Sequence, residues 1–412
     1  MKGVSRYDAS TSLLPVVQEL MTGYARLSGL SPAGPSPLRY LWTDAFAVCN
    51  FLALYRQTGD EHYRNLALLL VDQVHTTLGR HRGDDPGSGQ KTGQRSGQKS
   101  GWISGLDEQE GSMHPTIGGL RIGKAMDERK PDEPPDEVLE WERDGQYYHY
   151  LTQWMHALDR VSRVTENSTY NRWAIELAKT AHDRFTYVPA SGGQKRMYWK
   201  MSIDLSYPLV PSMGYHDPLD GLITYSELRT TARHFAERSA EPAVWTDLDA
   251  EIADMAEMCK GKDWTTDDPL GIGGLLTGSY KMAQLILHDG FIRPDLLEQV
   301  MNASLAGLDS YSGKPSFKLP AEYRLAFREL GLSIGLHAAG RLHEVVSRNP
   351  GIFSEVHSIT GRLLRYAPLR EAIEAFWLEP SNRESGSWAA HRAINTVMLA
   401  TSLAPDGYLL LE

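Results

Sequence analysis

Residues 42–71, WTDAFAVCNFLALYRQTGDEHYRNLALLLV, join two stretches of different character. The first, 44–55 (DAFAVCNFLALY), is apolar on nearly every side. A helix without a polar face must be surrounded by protein. The second places Tyr63, Leu66, Ala67, Leu70 and Val74 at the spacing of a single helical stripe, so it buries one face only. Between the two lies TGDEH, a joint long enough only to turn the chain back on itself. The stretch therefore predicts an inner helix over 42–57 hairpinned onto an outer helix over 61–78.

The design recurs. RVTENSTYNRWAIELA (163–178) again turns after a Thr and sets Tyr170, Trp173, Ala174, Leu177, Ala178 and Ala181 on one stripe. Helix patterns occur over 11–28, 42–57, 61–78, 144–164, 168–186, 217–238, 241–259, 271–288, 294–308, 320–346, 352–365 and 387–403. The one alternating, strand-like stretch is MYWKMSIDL (197–205). The fold class is all-α, built of hairpins.

Joint lengths alternate as well. TGDEH, VTENS, SAEPA, DGFIR and SRNPG are short, whereas 29–41, 79–143, 187–216, 260–270, 309–319 and 366–386 are mostly longer. A closed ring accounts for this asymmetry: six inner helices around an axis, six outer helices around them, and one rim carrying the long joints. The expectation is a single (α/α)6 barrel over 1–412. Its functional rim gathers the long loops and the N-termini of the inner helices, whose unpaired N–H groups favour acidic groups. The longest rim loop, 79–143, contains GSGQKTGQRSGQKSG (87–101), too polar and glycine-rich to bury itself, which predicts a flexible insertion.

Composition narrows the function. A net charge of −10 without clustered Lys/Arg argues against a nucleic-acid partner. No apolar run approaches the roughly 18–20 residues of a membrane span. The opening MKGVSRYDASTSLLPVV lacks the apolar region of a secretory signal, so a cytoplasmic location is expected. Cys49 and Cys259 sit in apolar helical contexts and read as buried thiols. The oligomeric state is open, a homo-oligomer included.

Aromatic, acidic and basic residues coincide at the predicted rim. The helix at 42 opens with Trp42 and Asp44; the one at 144 with Asp144, Tyr147, Tyr148, His149 and Tyr150; the one at 217 with His216, Asp217 and Asp220; the one at 387 with Trp388, His391 and Arg392. Arg324 stands near the helix at 320, and the loop 101–124 adds Trp102, His114, Arg121 and Lys124. Asp44, Asp144 and Asp217 also suit helix N-termini, and Pro218 fits the first helical position. HDPLD (216–220) lacks the HxxxH or CxxC spacing of a zinc site, so no metal is expected. The Gly271, Gly273, Gly274 cluster follows no strand, so no dinucleotide or other cofactor is expected either.

The hairpin alternation, the TGD turn before Tyr63, and Trp42-x-Asp44-Ala45 opening an inner helix resemble the six-hairpin glycosidase-like superfamily. Its members are (α/α)6 toroids and include unsaturated uronyl and rhamnogalacturonyl hydrolases, with N-acylglucosamine 2-epimerases sharing the architecture. The resemblance implies an aspartate general acid/base beside an aromatic, a pattern that Asp44 and Trp42 match. For an epimerase it implies histidines on inner helices, for which His149 and His391 are comparable.

These residues suit a small saccharide. Aromatic rings stack on sugar C–H faces, and glycoside cleavage needs two carboxyl groups across the bond. The leading expectation is a glycoside hydrolase using Asp44, Asp144, Asp217 and Asp220. Trp42, Trp102, His114, Arg121, Tyr147, Tyr148, His216, Arg324, Trp388 and Arg392 would hold substrate, the arginines and Lys124 through any acidic group it carries. The alternatives are a sugar 2-epimerase or isomerase with His149 and His391 as bases, and a non-catalytic toroid that binds a glycan or a partner.

Overall fold

Thr58, Gly59 and Asp60 show why the first hairpin forms. Tyr7–Leu27 is α1, Leu41–Thr58 is α2 and Glu61–Leu78 is α3. Gly59 stops α2 in the left-handed region (φ 70°), its N–H bonding Tyr55 O, and Asp60 starts α3 by accepting from the His62 N–H. Every residue of α2 from Leu41 to Leu54 is buried, whereas α3 buries the stripe that carries Tyr63, Leu66, Ala67, Leu70 and Val74. The computed structural model describes residues 7–34, 37–84, 100–238, 247–289, 294–313 and 318–411.

The described chain is predominantly helical and falls into two compact units, Ala25–Lys260 and Met1–Tyr24 with Gly261–Glu412. In the middle unit the next helices are α4 (Glu108–Met113), α5 (Glu137–Glu142), α6 (Tyr148–Thr165), α7 (Ser168–Phe185), α8 (Asp217–Arg238) and α9 (Asp249–Cys259). Helices α2, α6 and α8 pack side by side, and α3, α7 and α9 are their hairpin partners. Short strands cross the ends of these helices. β1 (Gln146–Tyr147), β4 (Lys200–Met201) and β5 (Pro208–Val210) form one antiparallel sheet in the order β1-β4-β5, with Tyr147 opposite Lys200. β2 (Thr186–Tyr187) pairs with β3 (Arg196–Met197).

The terminal unit holds α10 (Pro269–Asp289), α11 (Pro294–Ser312), α12 (Ala326–Arg348), α13 (Pro350–Phe353), α14 (His357–Leu363), α15 (Ala367–Leu378), α16 (Gly386–Ala390), α17 (Arg392–Leu403) and α18 (Asp406–Leu409). α10 and α12 form its tightest helix pair, with α11 against α10, and α15 and α17 against α12. The glycines of LGIGGLL set that pair. A Cβ on Gly273 would lie 2.1 Å from Gly331 O, and one on Gly335 would lie 2.6 Å from Gly273 Cα. The inner–outer alternation expected of an (α/α)6 barrel is thus present in each unit.

Several boundaries differ from the sequence expectation. The helix expected over 144–164 starts at Tyr148, because Asp144, Gly145 (φ 146°) and β1 are extended or turning. The loop 79–143 contains α4 and α5, and the insertion expected over 87–101 lies outside the described residues except for its last two. The strand expected over 197–205 is divided between β3 and β4, which belong to different sheets. The joint 366–386 contains α15, anchored by buried Ile373 and Trp377, and the helix over 387–403 breaks at His391. Cys49 and Cys259 are buried and form no disulfide. No described helix is long and apolar enough to cross a membrane.

Candidate functional site

Asp44, at the mouth of α2, is taken up by the helix it opens. Its Oδ2 accepts the N–H of Tyr40, the residue before the helix, at 3.0 Å, and its Oδ1 lies 3.6 Å from the guanidinium of buried Arg39. Arg39 in turn donates to Ser28 O. A side chain reaching back to the N-terminal backbone satisfies a donor the helix cannot. Asp144 is likewise held by the fold. It is fully buried and accepts from Arg121 (2.9 Å), Arg82 (3.2 Å) and the backbone N–H groups of Gly123 (2.9 Å) and Lys124 (3.3 Å). Arg121 spends its other donors on Arg80 O and Thr77 O. Acid and base together pin the loop 120–124 to the ends of α3 and β1.

The loop 101–124 contributes packing as well. Trp102 is buried beneath the Arg80 guanidinium, 4.4 Å from its ring centroid. His114 bonds Glu176 of α7 at 2.8 Å. Tyr148 lies in the core, its hydroxyl donating to Tyr225 at 2.8 Å. In the terminal unit Arg324 makes a two-bonded pair with Glu329 (2.8 and 2.7 Å) and sits 3.6 Å over the Phe376 ring. Trp388 packs against Trp377, and His391 and Arg392 are exposed, His391 with its ring against Phe327. Of the acids at the start of α8, Asp220 lies one turn from Asp217, its N–H on His216 O.

What the middle unit does bring together is a part-exposed aromatic cluster around His149, in the first turn of α6. Tyr147, Tyr150 and Trp199 surround the imidazole, with ring centroids at 5.3, 4.8 and 6.2 Å, and Trp199 lies nearly parallel to it (12°). Tyr150 extends the cluster to Trp42 (6.5 Å) and Tyr40 (5.6 Å), the latter through a hydroxyl–hydroxyl hydrogen bond of 2.7 Å. Trp141 closes the far side, 4.9 Å from Trp199 and half exposed. β4 delivers Trp199 to this position, and the β1–β4 register fixes it beside Tyr147. Lys200 props the same corner: its ammonium binds Glu140 O (2.6 Å), Arg143 O (2.9 Å) and the Glu140 carboxylate, 5.4 Å from the Tyr147 centroid.

His149 itself is enclosed yet wet. Its Nδ1 is buried with no hydrogen-bond partner, while the side chain as a whole keeps 28% of its surface in contact with solvent, so the open part is elsewhere on the ring. The nearest carboxylate is Asp217 of α8, 3.9 Å from Nδ1 and almost fully buried. Burial pushes the imidazole down to about 4, so it is neutral at pH 7. The positive end of α6 acts in the same direction. A neutral imidazole with Nδ1–H turned toward Asp217 presents the Nε2 lone pair, the arrangement of a general base oriented by a carboxylate.

The sequence had brought forward Trp42, Tyr147, His149 and Asp217 of this group. Tyr40 and Trp199 had been passed over as members of a site. The alternation of MYWKMSIDL was the one signal for Trp199, since a strand returning to the helix ends must place alternate side chains against them; Tyr40 had none beyond its place just before Trp42.

No family model matches the chain, and no curated protein matches it. Among solved structures it is similar to the cellobiose 2-epimerase of Spirochaeta thermophila, with 12% identity, 96% of this chain and 99% of that one covered, and a TM-score of 0.47. A second similar structure is a sugar epimerase from a ruminal bacterium (10% identity, 89% and 88% covered, TM-score 0.47). A third is the cellobiose 2-epimerase of Bacillus thermoamylovorans (11% identity, 95% and 99% covered, TM-score 0.48).

Proposed function

We propose that the protein is a carbohydrate-active enzyme that moves a proton at the carbon next to a sugar carbonyl, as a sugar 2-epimerase or isomerase does, with His149 as general base. The observation that carries this is the state of the imidazole: neutral, lined by aromatic rings, its Nδ1 bonded to nothing and facing Asp217 at 3.9 Å. A base for a C–H bond needs a lone pair at working pH and a fixed ring. Contraction by about 1 Å, of the kind substrate binding brings to loosely aligned catalytic contacts, makes the His149–Asp217 bond. The half-buried Tyr150 and Trp199 offer apolar faces that a pyranose or open-chain sugar stacks on, and the buried Tyr147 and Trp42 back them.

Hydrolysis has less to support it. Two carboxyl groups must flank a glycosidic bond, about 5–10 Å apart. Asp44 and Asp144 are committed to helix start and loop, and Asp217 and Asp220 follow one another on a single turn of α8. His391, the expected second base, is an exposed residue at the break between α16 and α17 and stays a candidate on that ground alone.

The test is exchange. Reducing mono- and disaccharides are incubated with the protein in D2O, and loss of the C2–H signal is followed by NMR. The expected result is deuterium incorporation by the wild type and a loss of at least about 100-fold with His149→Gln. Exchange at the wild-type rate in the variant removes His149 from the chemistry. Release of a free sugar from a disaccharide without exchange restores the hydrolase.

A further inference from the structure

Two half-buried tyrosines beside His149 share a hydroxyl hydrogen bond that leaves one of their two hydrogens without a partner among the described residues. Tyr40, just before α2, and Tyr150, next to His149 in α6, are bonded oxygen to oxygen at 2.7 Å. Two phenols carry two hydroxyl hydrogens, and one hydrogen bond consumes one of them. Among the described residues neither oxygen has a further hydrogen-bond partner, so one hydroxyl hydrogen of the pair is left for a bound molecule or solvent. The Tyr150 ring meets the imidazole edge to face, 4.8 Å between centroids and 89° between planes. The hydroxyl pair and the base therefore belong to one aromatic cluster.

We infer that the Tyr40–Tyr150 pair is the electrophile of this site, donating a hydrogen bond to the substrate's carbonyl oxygen and holding the enediolate that forms when His149 takes the neighbouring proton. The inference rests on the proton-transfer function proposed above. In that step the C2–H bond of an open-chain aldose breaks and its proton goes to His149. The C–H electron pair becomes the C1=C2 bond, and the carbonyl π pair moves onto O1, where the phenolic hydrogen meets it. When a proton returns to carbon, the pair flows back and the C1=O bond re-forms. Burial raises both phenols above their ordinary range, so each stays a protonated donor at neutral pH. A donor bonded to a second hydroxyl is also fixed in direction, which is what stabilising a developing oxyanion needs. The substrate class that follows is a sugar with a free carbonyl, in open-chain form.

Tyr150→Phe and Tyr40→Phe each remove one oxygen and leave the ring packing in place. C2–H exchange of a reducing sugar is measured for wild type and both variants over a range of sugar concentrations. The expected result is a fall in kcat of about 100-fold for Tyr150→Phe and a smaller one for Tyr40→Phe, with KM within about twofold. Tyr40 lies outside the helix interior, so its variant reports even if Tyr150→Phe folds poorly. Wild-type kcat in Tyr40→Phe and in folded Tyr150→Phe, or a loss confined to KM, overturns the inference while leaving His149 as the base. Absence of exchange in the wild type overturns the proposed function and this inference with it.

Discussion

His149 and Asp44 stand at equivalent places, each in the first turn of an inner helix, and their surroundings give them opposite duties. Asp44 has a backbone donor at 3.0 Å and the Arg39 guanidinium close by, whereas His149 Nδ1 has a carboxylate at 3.9 Å and no hydrogen bond. Two consequences are measurable. First, with the imidazole held at about 4 by burial, its basic form is present above that pH and lost below it. The rate of proton exchange should be level from about pH 5 to 8 and fall below about 4, rather than near the ordinary histidine value of about 6.5. An inflection near 6.5 would mean that His149 is not enclosed in solution. Second, Asp44→Asn should keep wild-type turnover and lose about 1–2 kcal/mol of stability, through a weakened helix start. Asp144→Asn should lose about 3 kcal/mol or more, because it leaves Arg121 buried against a neutral partner. Urea unfolding of the two variants gives both numbers. A large catalytic defect in folded Asp44→Asn would return that residue to the chemistry.

At the scale of elements, the hairpins were legible because their punctuation is local. Gly59 ends α2, Asp60 begins α3 and Asn167 begins α7, each by a contact within three or four residues that a sequence displays. The start of α6 was not legible, since Asp144 in the sequence resembles a helix cap and in the fold answers to Arg121, 23 residues away. α15 was hidden for a similar reason: the asymmetry of joint lengths made 366–386 look like rim, and only burial of Ile373 and Trp377 shows a packed helix there. The sequence offers no strand before the glycines of α10 from which to read a dinucleotide loop, and their packing role needed the partner helix. That purpose predicts a contrast between neighbours. Gly273→Ala forces a methyl group onto Gly331 O and should destabilise by about 1–3 kcal/mol. Gly274, exposed on the same helix with open space around its missing Cβ, should gain up to about 1 kcal/mol as alanine. Thermal melts of the two variants should move in opposite directions, and equal shifts would deny that α10 and α12 touch through backbone.

Over the whole molecule, buried ionisable groups set how stability responds to pH, and this was the least legible property of the chain. Composition gives a net charge of −10 and says nothing of which groups lie in the core. Burial holds His75 at about 3 and His149 at about 4, and His75 is kept neutral against Trp154, whose indole N–H donates to its Nε2 at 3.1 Å. In the unfolded chain both return to about 6.5. As pH falls below 6.5 the unfolded state takes up two protons that the folded state refuses, so stability declines toward acid. Asp159 runs the other way. Burial raises it to about 6, above its ordinary 3.8, so it stabilises the fold at low pH and that contribution is lost as pH rises from about 4 to 6. Burial also lifts Glu374, but hydrogen bonds from His337, Ser402 and Ser333 outweigh it and hold the carboxyl below its ordinary value, which adds to the loss in acid. Between pH 6 and 4.5 the two histidines therefore outweigh the one aspartate, and the urea midpoint should fall steadily over that interval. His75→Gln supplies an acceptor for the Trp154 N–H without a titrating ring and should flatten the slope by about one proton. A slope unchanged in His75→Gln would remove His75 from this account, and a midpoint that rises toward acid would mean that neither histidine is neutral and enclosed in the folded chain, so that the base proposed at residue 149 would lose its physical ground.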